Sequence, residues 1–190
     1  MDTNDIIINN NFYILTGGPG SGKTTLLKEL EKRGYETVGE AGRDIMQDQI
    51  ATNGIALPWK NNQQYSKLML EKSVKDYLEK ADTETRNLVF FDRGILDTVG
   101  YMELTNQQVT EKADALARKY NYNTKVFVFP PWKEIYENDE ERKQSWEEAV
   151  ATYNQIKKTY TEYGYETIDV PKDSLANRAD FLMKIIRLFG

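Results

Sequence analysis

The chain of 190 residues contains no cysteine and no histidine. Without cysteine it can form neither a disulfide bond nor a zinc–thiolate site, and it has no thiol nucleophile. Without histidine it lacks the most common general base and the most common transition-metal ligand. Catalysis would therefore have to use carboxylates, lysine, arginine, hydroxyl groups and a hard metal ion such as Mg²⁺. Phosphoryl transfer is a chemistry that can proceed with those groups alone.

Long apolar runs and an excess of positive charge are also missing. No apolar run has transmembrane length, and residues 1–11 are polar and rich in asparagine, so we expect a cytoplasmic protein without a membrane partner. The net charge of −5 disfavours nucleic acid as a partner. A chain of this length suits one folded domain, which we expect to span residues 1–190.

One segment matches the complete phosphate-loop pattern G-x-x-x-x-G-K-[ST]. An apolar strand is predicted before it at 12–15, and a helix after it ends near Gly34. Glycines let the loop aim its N–H groups at phosphate oxygens, Lys23 can lie between the β- and γ-phosphates, and Thr24 can hold Mg²⁺. The segment therefore predicts binding of a nucleoside triphosphate, with Mg²⁺, by these residues: Gly17, Gly18, Pro19, Gly20, Ser21, Gly22, Lys23, Thr24 and Thr25.

The remaining pattern alternates strands and helices, which predicts an α/β fold with a parallel sheet covered on both faces. Strands are expected at 12–15, 35–39, 88–91, 126–129 and 166–170. Helical stripes include one that ends at Tyr120 and one in the C-terminal residues 175–189. Residues 41–86 exceed the length of one crossover helix, so they either rise over the carboxyl ends of the strands or form a longer crossover.

Acidic and basic side chains follow the predicted third strand. Asp92 has the position of a Walker B carboxylate that reaches Mg²⁺, although an acid at a strand end can also cap a helix. Arg93 can hold a phosphate oxygen or fix the acceptor of the reaction, unless it is a surface arginine. Asp97 lies one helical turn further on, and the sequence leaves its role open.

Two further groups are candidates for the chemistry. Glu40 ends the second strand, where it can accept a proton from an acceptor hydroxyl or cap the next helix, and Arg43 shares that ambiguity. After Pro130-Pro131-Trp132 a charged run contains Arg142, which suits a lid that brings an arginine onto the transferring phosphate. The alternative for that run is a solvated helix face with i,i+4 ion pairs.

Taken together, these motifs resemble the AAA-type P-loop ATPase and kinase family that is typified by the ribosylnicotinamide kinase domain of NadR regulators. The resemblance rests on residues 17–25, 40–43, 91–97, 130–132 and 139–142. It implies a nucleoside-kinase-like three-layer α/β/α fold whose five parallel strands are ordered 2-3-1-4-5. It also implies acceptor-side helices within 41–86, a lid at about 130–145 with Arg142 as its arginine, and Glu40 as an acid near the acceptor.

The sequence thus predicts an ATP-dependent kinase that transfers the γ-phosphate of Mg-ATP to a small-molecule hydroxyl or phosphate, with a nucleoside- or nucleotide-like acceptor preferred. A regulatory or adaptor ATPase without efficient transfer is the alternative, and a slow ATPase within a larger system is a third possibility. In a kinase, Lys23, Glu40, Arg93 and Arg142 would be catalytic, and Mg²⁺ would occupy Asp92. Because a carboxylate bound to Mg²⁺ is poorly free to take a proton, Glu40 is the better candidate for the general base, and Asp97 is the second candidate. A homo-oligomer is compatible with the sequence, which does not identify the acceptor.

Overall fold

The computed structural model describes residues 6–82, 87–136 and 145–189. Along these residues the elements, in chain order, are β1 (Ile7–Ile8), β2 (Phe12–Gly17), α1 (Lys23–Lys32), β3 (Glu36–Val38), α2 (Ala41–Ala51), α3 (Asn62–Ala81), β4 (Val89–Asp92), α4 (Ile95–Leu104), α5 (Glu111–Lys119), β5 (Tyr120–Asn121), β6 (Lys125–Phe129), a 3₁₀ helix (Lys133–Ile135), α6 (Trp146–Glu162), β7 (Glu166–Asp169) and α7 (Leu175–Phe189).

A five-stranded parallel sheet organises these elements. Its strands are ordered β3-β4-β2-β6-β7, which is 2-3-1-4-5 when its own strands are counted along the chain. The predicted order is therefore confirmed. In the register, Leu15 faces Asp92 and Gly17 faces Phe129, so the carboxyl ends of the three central strands meet at one edge. Loops after parallel strands collect ligand-binding groups at such an edge.

The sheet has a hydrophobic core on each face, because its central strands are apolar on both sides. On one face α1 and α7 pack against the sheet, and on the other α4 and α6 do so. The first core includes Leu26, Leu30, Phe90, Phe127 and Leu182, and the second includes Ile14, Phe91, Val99, Ile156 and Tyr160. The predicted three-layer α/β/α architecture is confirmed.

The long segment between the second and third strands of this sheet forms helices α2 and α3. They enclose a small core of their own, in which Ile45, Met46 and Leu57 pack against Tyr65 and Met69. The Asn61 side chain begins α3 by accepting a hydrogen bond of 3.0 Å from the N–H of Gln64. The segment thus forms a helical insertion with a small core of its own.

One sequence expectation is wrong. Tyr120 was expected on a helix, but α5 ends at Lys119 and Tyr120 belongs to the short strand β5. β5 pairs in parallel with β1, with Ile7 opposite Tyr120. The Tyr120 ring also packs on Tyr77, at 5.3 Å between centroids. Pairing and packing with distant parts of the chain override the helical pattern here.

The predicted lid is only partly described. Its described part contains the 3₁₀ helix. At the end of the lid segment, the Ser145 side chain caps the N-terminus of α6. Arg142 and the charged run 139–143 lie outside the described residues. None of the helices seen in the described ranges is both long enough and apolar enough to cross a membrane.

Candidate active site

The phosphate loop joins β2 to α1, and its backbone requires glycine. Gly17 has a φ of +128°, and a Cβ added there would lie 2.5 Å from the carbonyl oxygen of Phe129. Gly22 has a φ of +82° and forms the N-cap of α1. The loop is closed by the Ser21 hydroxyl, which donates to the Gly18 carbonyl at 2.8 Å. The first N–H groups of α1 have no intrahelical partner, so this helix end suits an anion.

Lys23 lies across the loop. Its ammonium group donates to the carbonyl oxygens of Gly18 at 2.9 Å and Gly17 at 3.3 Å, and the residue is 6% exposed. It borders a cavity of about 600 Å³, here called the phosphate cavity. The phosphate cavity is lined by Pro19, Gly20, Ser21, Gly22, Lys23, Thr24, Thr25, Glu40, Arg43, Trp132, Ile135, Tyr136, Asp173, Leu175 and Arg178. The predicted loop residues from 19 to 25 thus face one cavity.

Thr24 and Asp92 are brought together although they are far apart in the sequence. The Thr24 hydroxyl donates to the Asp92 carboxylate at 3.3 Å, and Asp92 is 3% exposed at the end of β4. Mg²⁺ prefers oxygen ligands and is commonly held by one or two carboxylates together with substrate phosphates. A hydroxyl and a carboxylate beside a phosphate loop fit that preference.

Arg93 connects the predicted acceptor residues. Its backbone is in the left-handed region, with a φ of +72°, which is strained for a residue with a side chain. Its N–H donates to the Leu15 carbonyl at 3.0 Å. The guanidinium donates through Nε to Glu40 at 2.9 Å and through Nη1 to Asp97 at 3.3 Å. Burial disfavours the charge, but the carboxylates around it outweigh burial and raise the pKa of Arg93.

Asp97 holds that arginine from a buried position. The residue is 3% exposed and also accepts hydrogen bonds from the Thr16 hydroxyl, from the Gly94 N–H at 2.8 Å and from the Tyr160 hydroxyl at 2.7 Å. A carboxylate with so many internal donors is fixed in orientation. In the structure Asp97 therefore orients Arg93.

A second cavity, of about 610 Å³, lies between α2, α3, α4 and α6 and is here called the acceptor-side cavity. It is lined by Glu40, Met46, Pro58, Trp59, Asn62, Tyr65, Met69, Arg93, Asp97, Gly100, Tyr101, Leu104, Thr105, Glu148, Ala151, Thr152, Gln155 and Ile156. Glu40 borders both cavities. The helical insertion thus builds one wall of a ligand-sized space next to the phosphate loop.

Of the two remaining predicted arginines, only Arg43 is among the described residues. Arg43, on α2, borders the phosphate cavity, and it is not among the described lining residues of the acceptor-side cavity. The structure therefore places Arg43 beside the phosphate loop, whereas the sequence led us to expect a contact with the acceptor. Arg142 lies outside the described residues, and its role as a lid arginine is still a prediction.

Sequence reasoning missed Arg178, which reaches the phosphate loop from α7. It is 5% exposed and donates to the Ser21 carbonyl at 2.9 Å. Its guanidinium lies over the rings of Phe129 and Trp132, at 4.9 and 5.6 Å from their centroids. Within the described residues its Nε has no hydrogen-bond partner, and burial lowers the pKa of Arg178. No local motif marks this residue, since its guanidinium contacts Ser21, Phe129 and Trp132, which are far from it in the sequence.

Several solved structures have the same fold. Deoxyadenosine kinase from M. mycoides, with products bound, matches with a TM-score of 0.67 at 16% identity, over 94% of this chain and 100% of that one. The NadR protein in complex with NR matches with a TM-score of 0.71 at 17% identity, over 95% of this chain and 52% of that one. Thymidylate kinase from Ehrlichia chaffeensis matches with a TM-score of 0.63 at 14% identity, over 92% and 97%.

The fold is therefore that of P-loop nucleoside and nucleotide kinases, and the present chain spans about half the length of the NadR protein. No curated protein matches the chain. A family model described as "AAA domain" matches residues 12–178, which include the phosphate loop, Asp92, Arg93 and Arg178. Because this match covers most of the chain, the chain belongs to the AAA-domain family, and its loop and strand order are those of a P-loop fold.

Proposed function

We propose that the protein is a kinase that transfers the γ-phosphate of Mg²⁺-ATP to a hydroxyl or phosphate group of a small nucleoside- or nucleotide-like acceptor. One observation carries this proposal. Glu40 borders both the phosphate cavity and the acceptor-side cavity, so that a carboxylate stands where a donor and an acceptor would meet. A nucleotide switch or a simple ATPase needs the first cavity only.

On the donor side, the phosphate loop and Lys23 bind the triphosphate. Thr24 and Asp92 would hold Mg²⁺, which would neutralise charge on the phosphates. Trp132, Ile135 and Leu175 also line the phosphate cavity and can cover the nucleobase. Catalysis of this kind is mainly positioning and electrostatic stabilisation, which a rigid loop at the end of a buried strand provides.

On the acceptor side, Arg93 and Glu40 act together. Arg93 orients Glu40 through its Nε and retains further N–H groups that can donate to the acceptor oxygen. The Glu40 carboxylate takes the hydroxyl proton as the acceptor oxygen forms its bond to the γ-phosphorus. The bond from the γ-phosphorus to the β,γ-bridging oxygen breaks, and ADP leaves with that electron pair. Asp97 is a positioning residue, because it acts through Arg93.

A transfer assay with a panel of nucleosides, nucleotides and related hydroxyl compounds tests this proposal. The proposal predicts that an acceptor from the panel makes ADP formation Mg²⁺-dependent and yields one phosphorylated product for each ADP. ADP formation that needs no acceptor and releases only inorganic phosphate would indicate an ATPase instead. The single-domain organisation, the cytoplasmic location and the lid arginine Arg142 remain further proposals, each open to separate tests.

A further inference from the structure

We propose that Arg178 binds the α-phosphate of the nucleotide that occupies the phosphate cavity. This inference rests on the donor side of the proposed function and deepens it, because the donor site described above uses Lys23, Thr24 and Asp92 and no residue of α7. It follows from the burial of Arg178, from its missing counter-ion and from the two surfaces that its guanidinium group contacts.

Arg178 is a buried cation without a counter-ion. The residue is 5% exposed, and no carboxylate among the described residues forms an ion pair with it. Asp173 lines the same cavity, but its carboxylate accepts from the Ser174 N–H at 2.6 Å and from the Asn177 side chain at 3.0 Å. Arginine is almost never buried to this degree without a charged partner. An unpaired arginine at the wall of a cavity therefore suits an anionic ligand.

The hydrogen-bond donors of Arg178 are also largely unused. A guanidinium group has five N–H donors. The hydrogen bond of Arg178 within the described residues joins Nη2 to the Ser21 carbonyl at 2.9 Å, and the buried Nε has no partner there. The rings of Phe129 and Trp132, at 4.9 and 5.6 Å, stabilise the charge but supply no oxygen acceptor. Phosphate oxygens are acceptors that match the planar fork of an arginine.

The surfaces that the guanidinium contacts indicate which phosphate it meets. A Cβ added at Gly22 would lie 2.8 Å from Nη1, so the group rests against the phosphate loop where α1 begins. It also contacts Trp132, which belongs with Leu175 to the apolar lining of the cavity. In a nucleoside triphosphate, the α-phosphate links the sugar and base to the β-phosphate. A cation that touches both the loop and the apolar lining is therefore placed for the α-phosphate.

The other phosphates have other binding groups. In a phosphate loop the lysine, here Lys23, reaches the β- and γ-phosphates, and the hydroxyl of the next residue, here Thr24, reaches Mg²⁺. Thr24 and Asp92 lie within hydrogen-bond distance of each other, at 3.3 Å. The α-phosphate is the one for which these three side chains provide no charge, and Arg178 supplies it.

A series of three ligands tests this assignment. Arg178→Met removes the charge, and binding of ATP, ADP and inorganic tripolyphosphate is measured with Mg²⁺ by displacement of a fluorescent ATP analogue. We expect all three to bind about tenfold more weakly than to the wild type, because each places a phosphate at the α position. A loss with ATP alone would place Arg178 at the γ-phosphate, and a loss with ATP and ADP but not tripolyphosphate would place it at the base. Either result, or no loss at all, would overturn the inference.

Thermal unfolding separates ligand binding from packing. A fixed concentration of Mg²⁺-ADP should raise the unfolding midpoint of Arg178→Met by less than it raises that of the wild type, whatever the midpoint without nucleotide. Arg187→Met, at an exposed position of the same helix, should show the full rise. A full rise in Arg178→Met as well would assign the residue to packing and overturn the inference.

Failure of this inference can be told apart from failure of the proposed function. Weaker nucleotide binding by Arg178→Met, in a protein whose wild type transfers phosphate to no acceptor, would support the inference and remove the kinase. Unchanged binding of all three ligands by Arg178→Met, in a protein that does transfer phosphate, would overturn the inference and leave the kinase standing.

Discussion

Glu40 lines both cavities of this protein, but the other side chains that line the two cavities differ in charge. The phosphate cavity has a glycine-rich backbone and three basic side chains, from the loop, from α2 and from α7. The acceptor-side cavity is built by four helices and has aromatic, thioether, amide and carboxylate groups. Its only described cation, Arg93, is held between Glu40 and Asp97.

Under the proposed function, this difference in lining would hold the phosphate donor and the acceptor in two separate sites. The donor site needs positive charge and preorganised N–H groups, because the triphosphate is a strong anion. The acceptor site needs a carboxylate that can take a proton and a surface that recognises a ring. Variants at both cavities test whether donor and acceptor binding are divided between them.

The largest effect is expected at Lys23, a buried cation of the phosphate cavity. Lys23→Ala should lower turnover by about 10³-fold, because it removes the charge that the loop places on the phosphates. ATP binding and steady-state turnover are to be measured. Lys32→Ala, an exposed change at the end of the same helix, is the control. Normal turnover in Lys23→Ala would mean that the phosphate cavity is not the donor site.

A smaller effect, confined to the chemical step, is expected at Glu40. Glu40→Gln should reduce transfer by about 10²-fold, as loss of a general base does, while ATP binding stays near the wild-type value. Single-turnover kinetics and ATP titration separate the two quantities. Asp48→Asn, an exposed acid on α2, is the matched control. A parallel loss of ATP binding would place Glu40 in the metal site instead of the acceptor site.

Arg178 tests the contribution of α7 to the donor site. Arg178→Met keeps much of the side-chain volume but removes the charge and the hydrogen bond to Ser21. ATP binding should weaken by about tenfold, the effect of one charged hydrogen bond. Arg187→Met, at an exposed position of the same helix, should bind ATP normally. If both variants bind as the wild type does, Arg178 has only a packing role.

The smallest effect is expected at Tyr160, which supports Asp97 from α6. Tyr160→Phe removes one donor to a buried carboxylate and should lower the free energy of unfolding by about 1–2 kcal/mol. A modest fall in kcat should accompany it if Asp97 positions Arg93. Tyr153→Phe, on the same helix as Tyr160, is the control, since the Tyr153 hydroxyl donates to the exposed Asp169 at 2.8 Å. Urea unfolding and steady-state kinetics provide both readouts, and equal stabilities of the two variants would argue against the buried network.

The donor half could be predicted largely from the sequence, because its elements are local. The phosphate-loop motif 17–25 is contiguous with the apolar strand before it and the helix after it. The other apolar segments indicated which parts of the chain form the sheet. The order of the strands came from the resemblance to a known family, and the structure confirms it. Asp92 and Glu40 could be placed because parallel strands end at one edge.

The acceptor half could be predicted only in outline. Asp97 supports Arg93 from a buried position, where it accepts hydrogen bonds from Thr16 on β2 and Tyr160 on α6. No spacing in the sequence encodes these contacts. Arg178 was missed for the same reason, since its partner Ser21 is 157 residues away. Tyr120 was assigned to a helix because its pattern fits α5, whereas its pairing with Ile7 is a tertiary interaction.

The central claim is that phosphate passes from ATP to an acceptor held beside Glu40. The most direct measurement is ³¹P NMR of a reaction that contains the protein, Mg²⁺, ATP and the acceptor found in the panel. The account predicts that a new phosphomonoester resonance grows in step with ADP and is absent with Lys23→Ala. Growth of the inorganic phosphate resonance alone, at the same rate with and without the acceptor, would contradict it.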